Sequence, residues 1–276
     1  MKNELKRIAQ VAWKRNPKEN WERATRKLSG QSTRSDLRVA TVDEWWQLGR
    51  AYPLMRRGSH TPLKDYGYLA ILNYIDSAHP KRVFEFGHGL WHSGMDSLYT
   101  RTDIELWSCD DNVGVEYYAD RQEWQTKYDA LKAKYPNVHF VQMLLGDPEK
   151  ARGIIPNNYF DLVISVSVLE ELQPKVFEQV LRHAYQILLP GGKLLCSMDL
   201  VIGDIDTLKA RISSVRQCGF EWKVDETALK FIWWDNVLME DQFMIMVGYQ
   251  RQEGETRHFR GNYTTVMIEA VKPRAA

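Results

Sequence analysis

The sequence predicts an α/β fold in which a doubly wound, mostly parallel sheet carries helices on both faces. Three observations support this prediction: five short apolar segments typical of buried strands, amphipathic segments between them, and glycines or acids where the strands end. The chain has 276 residues, which is enough for one large α/β domain with additions.

The segment Lys81–Leu90 is the centre of this prediction. It is typical of a buried strand that ends at Phe86, followed by a turn with Gly87 and Gly89 and a helix from about Ser93. Glycine tolerates positive φ and lets a ligand approach the backbone. The N-terminus of the following helix favours a carboxylate or another anion. A tight turn without any ligand explains this pattern equally well.

Four further strands are predicted along the chain. The second strand ends at Asp110, about 20 residues after the glycine turn, a spacing at which an acid reaches ribose hydroxyls in nucleotide-binding units. The predicted strands are Ile104–Asp110, Val138–Leu144, Phe160–Val166 and the segment from the Pro190-Gly191-Gly192 turn to Cys196.

In their order and spacing, these motifs resemble those of the class I S-adenosylmethionine (SAM)-dependent methyltransferases. The resemblance extends from about residue 62 to 222, and more loosely to 273. It rests on Glu85-x-Gly87-x-Gly89, Asp110, Gly146-Asp147, Phe160–Val163 with Val168-Leu169-Glu170, and Leu189–Gly192. It implies a Rossmann-like, seven-stranded sheet whose last strand, Tyr263–Ala270, is antiparallel, with SAM as the cofactor.

The resemblance also implies which residues contact the cofactor. The glycine turn is expected to face the amino-acid moiety of SAM, Asp110 the ribose and Asp147 the adenine. Metal-dependent relatives have an acid where this chain has Ser165, so their metal chemistry is not carried over. The expected cofactor-binding residues are Glu85, Gly87, His88, Gly89, Asp110, Asp111, Asp147 and Ser165.

After Gly89 the sequence departs from the family pattern. The third glycine of the motif is replaced by Trp91, and His92 stands at that position in the register of dinucleotide-binding dehydrogenases. This departure argues against a nicotinamide enzyme, because those proteins need the third glycine for close helix packing. His88 and His92 have no evident third ligand nearby, so no metal site is predicted.

Glu171 is the candidate catalytic residue. Many small-molecule members of the family have a histidine at this position, on the substrate side of the methyl donor. A carboxylate there accepts a proton from a substrate hydroxyl if burial raises its pKa towards neutrality. The alternative is an acid at a helix start, where the helix dipole favours negative charge.

The chain is predicted to have two parts: an N-terminal basic helical arm or lid over residues 1–60, and a SAM-binding domain over 61–273. Residues 1–40 contain eleven basic and four acidic residues. Such an arm packs on the domain with its charges in water, or it contacts an anionic membrane surface or substrate. An aromatic-rich insertion at about 228–262 is interpreted as core packing, a substrate contact or a homodimer surface.

Global composition excludes several classes of protein. The net charge is +1, so no overall field for nucleic acid is implied. No apolar segment is long enough to cross a bilayer, and basic residues interrupt the N-terminal segment where a signal peptide would be apolar. Cys109, Cys196 and Cys218 are far apart and predict buried thiols in a reducing compartment. The cytoplasm is therefore the expected location.

The predicted function is methyl transfer from SAM to a small-molecule or sugar acceptor, most simply to a hydroxyl oxygen. The additions resemble a lid, and no RNA-binding module accompanies them, so nucleic acid is not the expected partner. Two alternatives stay open: methylation of an anionic polymer or lipid-linked substrate, such as RNA or a phosphoglycan, and an inactive SAM-fold binding protein.

Overall fold

The structure, a computed structural model, describes residues 37–52, 62–90, 93–111, 121–147, 149, 153–201, 205–222, 224 and 263–274. The chain divides into residues 1–35 and a second unit that begins at Asp36, and all the described residues belong to the second unit. The predictions for the arm before residue 37, for Trp91 and His92, and for the insertion at about 228–262 lie outside the described residues.

The described unit alternates strands and helices. Its strands are β1 (Leu37–Val39), β2 (Arg82–Phe86), β3 (Glu105–Asp110), β4 (Val138–Gln142), β5 (Phe160–Val166), β6 (Leu188–Val201) and β7 (Tyr263–Val271). Its helices are α1 (Val42–Ala51), α2 (Pro62–Ala78), α3 (Ser93–Tyr99), α4 (Arg121–Lys134), α5 (Pro174–Ile187) and α6 (Ile205–Gln217).

The strands form one seven-stranded sheet in the order β1-β7-β6-β5-β2-β3-β4. Strands β2 to β6 run parallel to one another, whereas β7 is antiparallel to both of its neighbours, β6 and β1. The predicted α/β fold with an antiparallel last strand is confirmed. The direction of winding reverses between β2 and β5, and ligands of doubly wound sheets bind beyond the carboxyl ends of the strands at this switch point.

The edge of the sheet differs from the prediction. Strand β1, which was not predicted from the sequence, pairs with β7 from Leu37 opposite Ile268 to Val39 opposite Val266. After α6, the described residues contribute one further bridge to the sheet, between Glu221 and Val271. Strand β1 has three residues, too few to show a periodic pattern in the sequence, and its partner β7 is far away along the chain.

Both faces of the sheet are covered by apolar side chains. On one face α2 packs against Val83, Leu162 and Leu195, and on the other α5 packs against Phe84 and Val163 within a larger cluster. His183 of α5 is also buried. None of the helices in the described ranges is long and apolar enough to cross a lipid bilayer.

Candidate functional site

The glycine turn follows β2 and has positive φ angles of 74° at Gly87 and 61° at Gly89. A Cβ atom added at Gly87 would lie 2.3 Å from a methyl group of Val168, so this glycine is required by close packing. A Cβ atom added at Gly89 would meet no atom of the described residues within 4 Å. Gly89 therefore borders open space at the carboxyl end of β2, where a ligand can approach the backbone.

Asp110, the last residue of β3, holds this turn. Its Oδ2 accepts a hydrogen bond from the backbone N–H of Gly89 at 2.9 Å. Gly87 N–H also donates to the carbonyl of Cys109 at 2.8 Å, so the end of β3 fixes both glycines. Asp111 follows directly and is half-buried. The structure thus brings together the turn and the acids that the sequence predicts as neighbours.

Glu85 lies beneath the turn and is buried. Its Oε2 accepts hydrogen bonds from Tyr99, on α3, and from the hydroxyl of Ser108, on β3, the latter at 2.7 Å. Burial raises the pKa of Glu85 to about 7, although both hydrogen bonds act in the opposite direction. The carboxyl group therefore connects three elements in the interior.

His88 is 2% exposed and packs on α4. Its ring is stacked with Tyr128 at a centroid distance of 5.9 Å and meets the ring of Phe140 edge-on. Burial lowers the pKa of His88, so the neutral imidazole is favoured, while the nearby Asp110 acts in the opposite direction. Its Nε2 is buried and has no hydrogen-bond partner within the described part of the chain. A buried ring nitrogen without a hydrogen-bond partner is available to form a hydrogen bond with a ligand.

Two other predicted cofactor contacts have protein partners. Asp147 lies in the turn after β4, and its Oδ1 accepts a hydrogen bond from Glu149 N–H at 3.1 Å. Ser165 is buried in β5, and its hydroxyl donates to the carbonyl of Phe86 at 2.9 Å. The hydroxyl of Ser165 thus joins β5 to the end of β2, directly before the glycine turn.

Glu171 lies in the turn after β5, at the same edge of the sheet. The residue is exposed, yet the surrounding protein still desolvates its carboxyl group and raises its pKa. Lys64 of α2 acts against this rise, whereas Asp199 and Asp110 add to it. An exposed carboxyl group with a raised pKa is a suitable proton acceptor near neutral pH.

Two further carboxyl groups at this edge have no role in the sequence prediction. Glu170 precedes Glu171, and Asp199 lies near the end of β6. Burial raises the pKa of both groups, and Lys64 acts in the opposite direction on both. The sequence offers one indication of this pair, namely Asp199 itself, because it is an acid inside a mainly apolar strand.

The described residues contain no group of three or more His, Cys, Asp or Glu side chains placed to hold a metal ion. The acids at the carboxyl edge interact electrostatically with one another and with Lys64.

Residues 113–196 match the family model described as "Methyltransferase domain". No curated protein is significantly similar to the chain in sequence.

Solved structures with a similar fold have low sequence identity. A phosphoethanolamine N-methyltransferase 2 of Haemonchus contortus has 16% identity and a TM-score of 0.43, over 75% of this chain and 52% of that one. This chain thus spans about half the length of that protein. The N-methyltransferase NodS of Bradyrhizobium japonicum has 11% identity and a TM-score of 0.48, over 84% and 99%. The [4+2]-cyclase SpnF has 14% identity and a TM-score of 0.49, over 88% and 100%.

Proposed function

We propose that the chain is a class I SAM-dependent methyltransferase that transfers the methyl group of SAM to a small-molecule acceptor. The match of residues 113–196 to a methyltransferase family model and the doubly wound order of the sheet support this proposal. The observation that carries this proposal is the hydrogen bond between Gly89 and Asp110 beside open space at the switch point of the sheet. This is where doubly wound folds bind nucleotides.

The residues at this edge fit SAM. Gly89 leaves room for the cofactor, and the buried Nε2 of His88 offers a hydrogen-bonding atom without a partner in the described chain. In this proposal the turn, with Glu85 beneath it, holds the amino-acid moiety, while Asp110 and Asp111 hold the ribose. Asp147 holds the adenine, and Ser165 supports the turn through the Phe86 carbonyl.

SAM supplies a methyl group on a positively charged sulfur, and no protein nucleophile is needed to move it. The chain contributes by holding the acceptor in line with that methyl group. Glu171 accepts the acceptor's proton, a role that its raised pKa supports. A hydroxyl group on a small molecule or sugar is one acceptor that this arrangement suits.

A second candidate is an anionic polymer or lipid-linked acceptor, and the observation that favours it is the basic composition of residues 1–40. Deletion of residues 1–35 separates the two candidates. If the acceptor is a small molecule, turnover of small acceptors survives the deletion. Selective loss of activity on RNA, phosphoglycans or anionic vesicles favours the second candidate.

Calorimetric titration with SAM and with S-adenosylhomocysteine tests the proposal. The full chain is expected to bind both in the micromolar range. Asp110→Ala is expected to weaken binding at least tenfold, about 1.4 kcal/mol. Asp129→Asn, which alters an exposed acid on α4, is the control and is expected to bind normally. A folded wild type that binds neither compound contradicts the proposal, and binding without turnover of any acceptor supports an inactive SAM-fold binding protein.

A further inference from the structure

Glu170 and Asp199, called the carboxyl pair below, meet at the carboxyl edge of the sheet from two different segments. Asp199 lies on β6, and Glu170 lies in the turn after the neighbouring strand β5. The two groups are within hydrogen-bonding reach of each other. Oε2 of Glu170 and Oδ1 of Asp199 are shielded from solvent, and no N–H or O–H of the described residues donates to either atom.

A buried hydroxyl lies beside the carboxyl pair. Ser167 is 5% exposed and lies close enough to Asp199 to influence its ionisation. Nevertheless, the Oγ of Ser167 forms no hydrogen bond of normal geometry with any described residue. Buried polar atoms are almost always paired in folded proteins. Three such atoms in one place, without a partner among the described residues, are positioned to accept hydrogen bonds from a ligand.

The charges around the carboxyl pair favour a positively charged ligand. Four acids influence one another at this edge, namely Asp110, Glu170, Glu171 and Asp199. Two positively charged side chains interact with these acids, Lys64 from α2 and Arg211 from α6. The Nη2 of Arg211 also donates a hydrogen bond to the carbonyl of Leu172 at 2.6 Å. Acids therefore outnumber cations among the described residues, and an added anion would be repelled.

An ammonium group supplies both the hydrogen-bond donors and the positive charge that the carboxyl pair favours. It carries one positive charge and up to three N–H donors, which matches two carboxyl oxygens and one hydroxyl. A neutral hydroxyl has a single donor and no charge, so it leaves at least one of the buried oxygens unpaired. The same edge carries Glu171, the proton acceptor of the proposed function.

We propose that the acceptor is a small aliphatic amine whose ammonium group is bound by Glu170, Asp199 and Ser167. The inference rests on the proposed function and names the substrate class of that site. One of the three N–H protons leaves its binding partner and passes to Glu171, while the other two N–H groups keep the nitrogen bound, and the lone pair released in this way forms the N–C bond. The C–S bond breaks as this bond forms, and its electron pair stays on sulfur. The products are the methylated amine, S-adenosylhomocysteine and one proton released to water.

Matched amine and alcohol probes test the inference on the full chain. The pairs are butylamine with butanol, benzylamine with benzyl alcohol, and 1,4-diaminobutane with 1,4-butanediol. S-adenosylhomocysteine formation is measured with SAM present, and probe binding is measured calorimetrically with S-adenosylhomocysteine present. At least one amine is expected to bind and to be methylated at least tenfold better than its alcohol.

Neutral isosteres then test the carboxyl pair. The double variant Glu170→Gln/Asp199→Asn is expected to lose at least tenfold in amine binding and to keep its affinity for SAM. Its thermal midpoint shows whether it is folded, and Glu170→Gln alone repeats the test with a smaller change. Glu221→Gln is the control, because Glu221 pairs with Val271 at the opposite end of the sheet from Asp199. This control is expected to behave as the wild type.

Each other outcome overturns the inference. Preference for the alcohols, or amine binding that survives in the double variant, contradicts the assignment. If the double variant loses SAM but keeps S-adenosylhomocysteine, the carboxyl pair serves the sulfonium instead. A wild type that binds SAM but none of the amines refutes the inference alone. A wild type that does not bind SAM refutes the proposed function, and the inference falls with it.

Discussion

The backbone N–H of Gly89 donates to the carboxylate of Asp110 across 2.9 Å and 21 residues of sequence. The bond joins the ends of two adjacent parallel strands, so the turn and the acid occupy one fixed geometry. A cofactor that contacts either residue therefore meets a prearranged site, which lowers the cost of ordering on binding.

The two glycines of the turn are expected to respond differently to alanine. Both have positive φ, so each substitution costs about 1–2 kcal/mol of backbone strain. Gly87→Ala adds a clash with Val168, worth about 1–3 kcal/mol more, whereas Gly89→Ala enters open space. In urea unfolding Gly87→Ala should be clearly less stable than Gly89→Ala. In calorimetry Gly89→Ala should still lose affinity for SAM, and normal affinity would show that the open space is not the cofactor site.

Glu85 is expected to make stability depend on pH. Its pKa rises from about 4.5 in the unfolded chain to about 7 in the folded one. Between these values the folded state binds the extra proton, so stability is greatest below pH 4.5, falls as pH rises to 7 and then levels off. A shift of this size corresponds to roughly 3 kcal/mol.

Glu85→Gln removes this titration and keeps an acceptor for Tyr99 and Ser108. The free energy of unfolding is measured in urea at pH 5, 6, 7 and 8. Its value for the variant relative to the wild type should increase as pH rises. A constant difference across this range would mean that Glu85 has an ordinary pKa. The comparison isolates Glu85, because Glu170, Glu171 and Asp199 titrate in both proteins.

Glu171→Gln is expected to reduce kcat about 10²- to 10⁴-fold, because the proton acceptor is lost while the shape of the side chain is kept. The affinity for SAM should change little. Steady-state kinetics on the best acceptor measures both quantities, with Glu221→Gln as the control at the far end of the sheet. Unchanged kcat in Glu171→Gln would remove Glu171 from the mechanism.

Lys64→Met is expected to move the acid limb of the pH–kcat profile to higher pH. Lys64 holds down the pKa of Glu171, so its removal keeps the carboxyl group protonated at higher pH. Because the reaction needs the ionised form, kcat at pH 7 falls and recovers at alkaline pH. Lys209→Met changes an exposed lysine of α6 and should leave the profile in place. A decrease at every pH without a shift would assign Lys64 a structural role.

Most of the central sheet was predictable because its signals are local. Each inner strand is a short apolar run followed by a turn or an acid, and β2 to β5 lie close to their predicted positions. The carboxylate of Asp161 on β5 accepts hydrogen bonds from the backbone N–H groups of Lys81 and Arg82, which ties β5 to the start of β2. The edge was not predictable, because β1 is a strand only through its pairing with β7.

Sequence alone determined the α/β class, the antiparallel last strand, the glycine turn and the acid at the end of the next strand, since these depend on neighbouring residues and on the regular winding of α/β folds. Only the tertiary structure decided which acids share one edge and how they ionise. Glu170 and Asp199 meet because β5 and β6 are adjacent, and Lys64 reaches them because α2 packs over that face. Burial and charge at a site are properties of this three-dimensional neighbourhood, and residue order along the chain does not contain them.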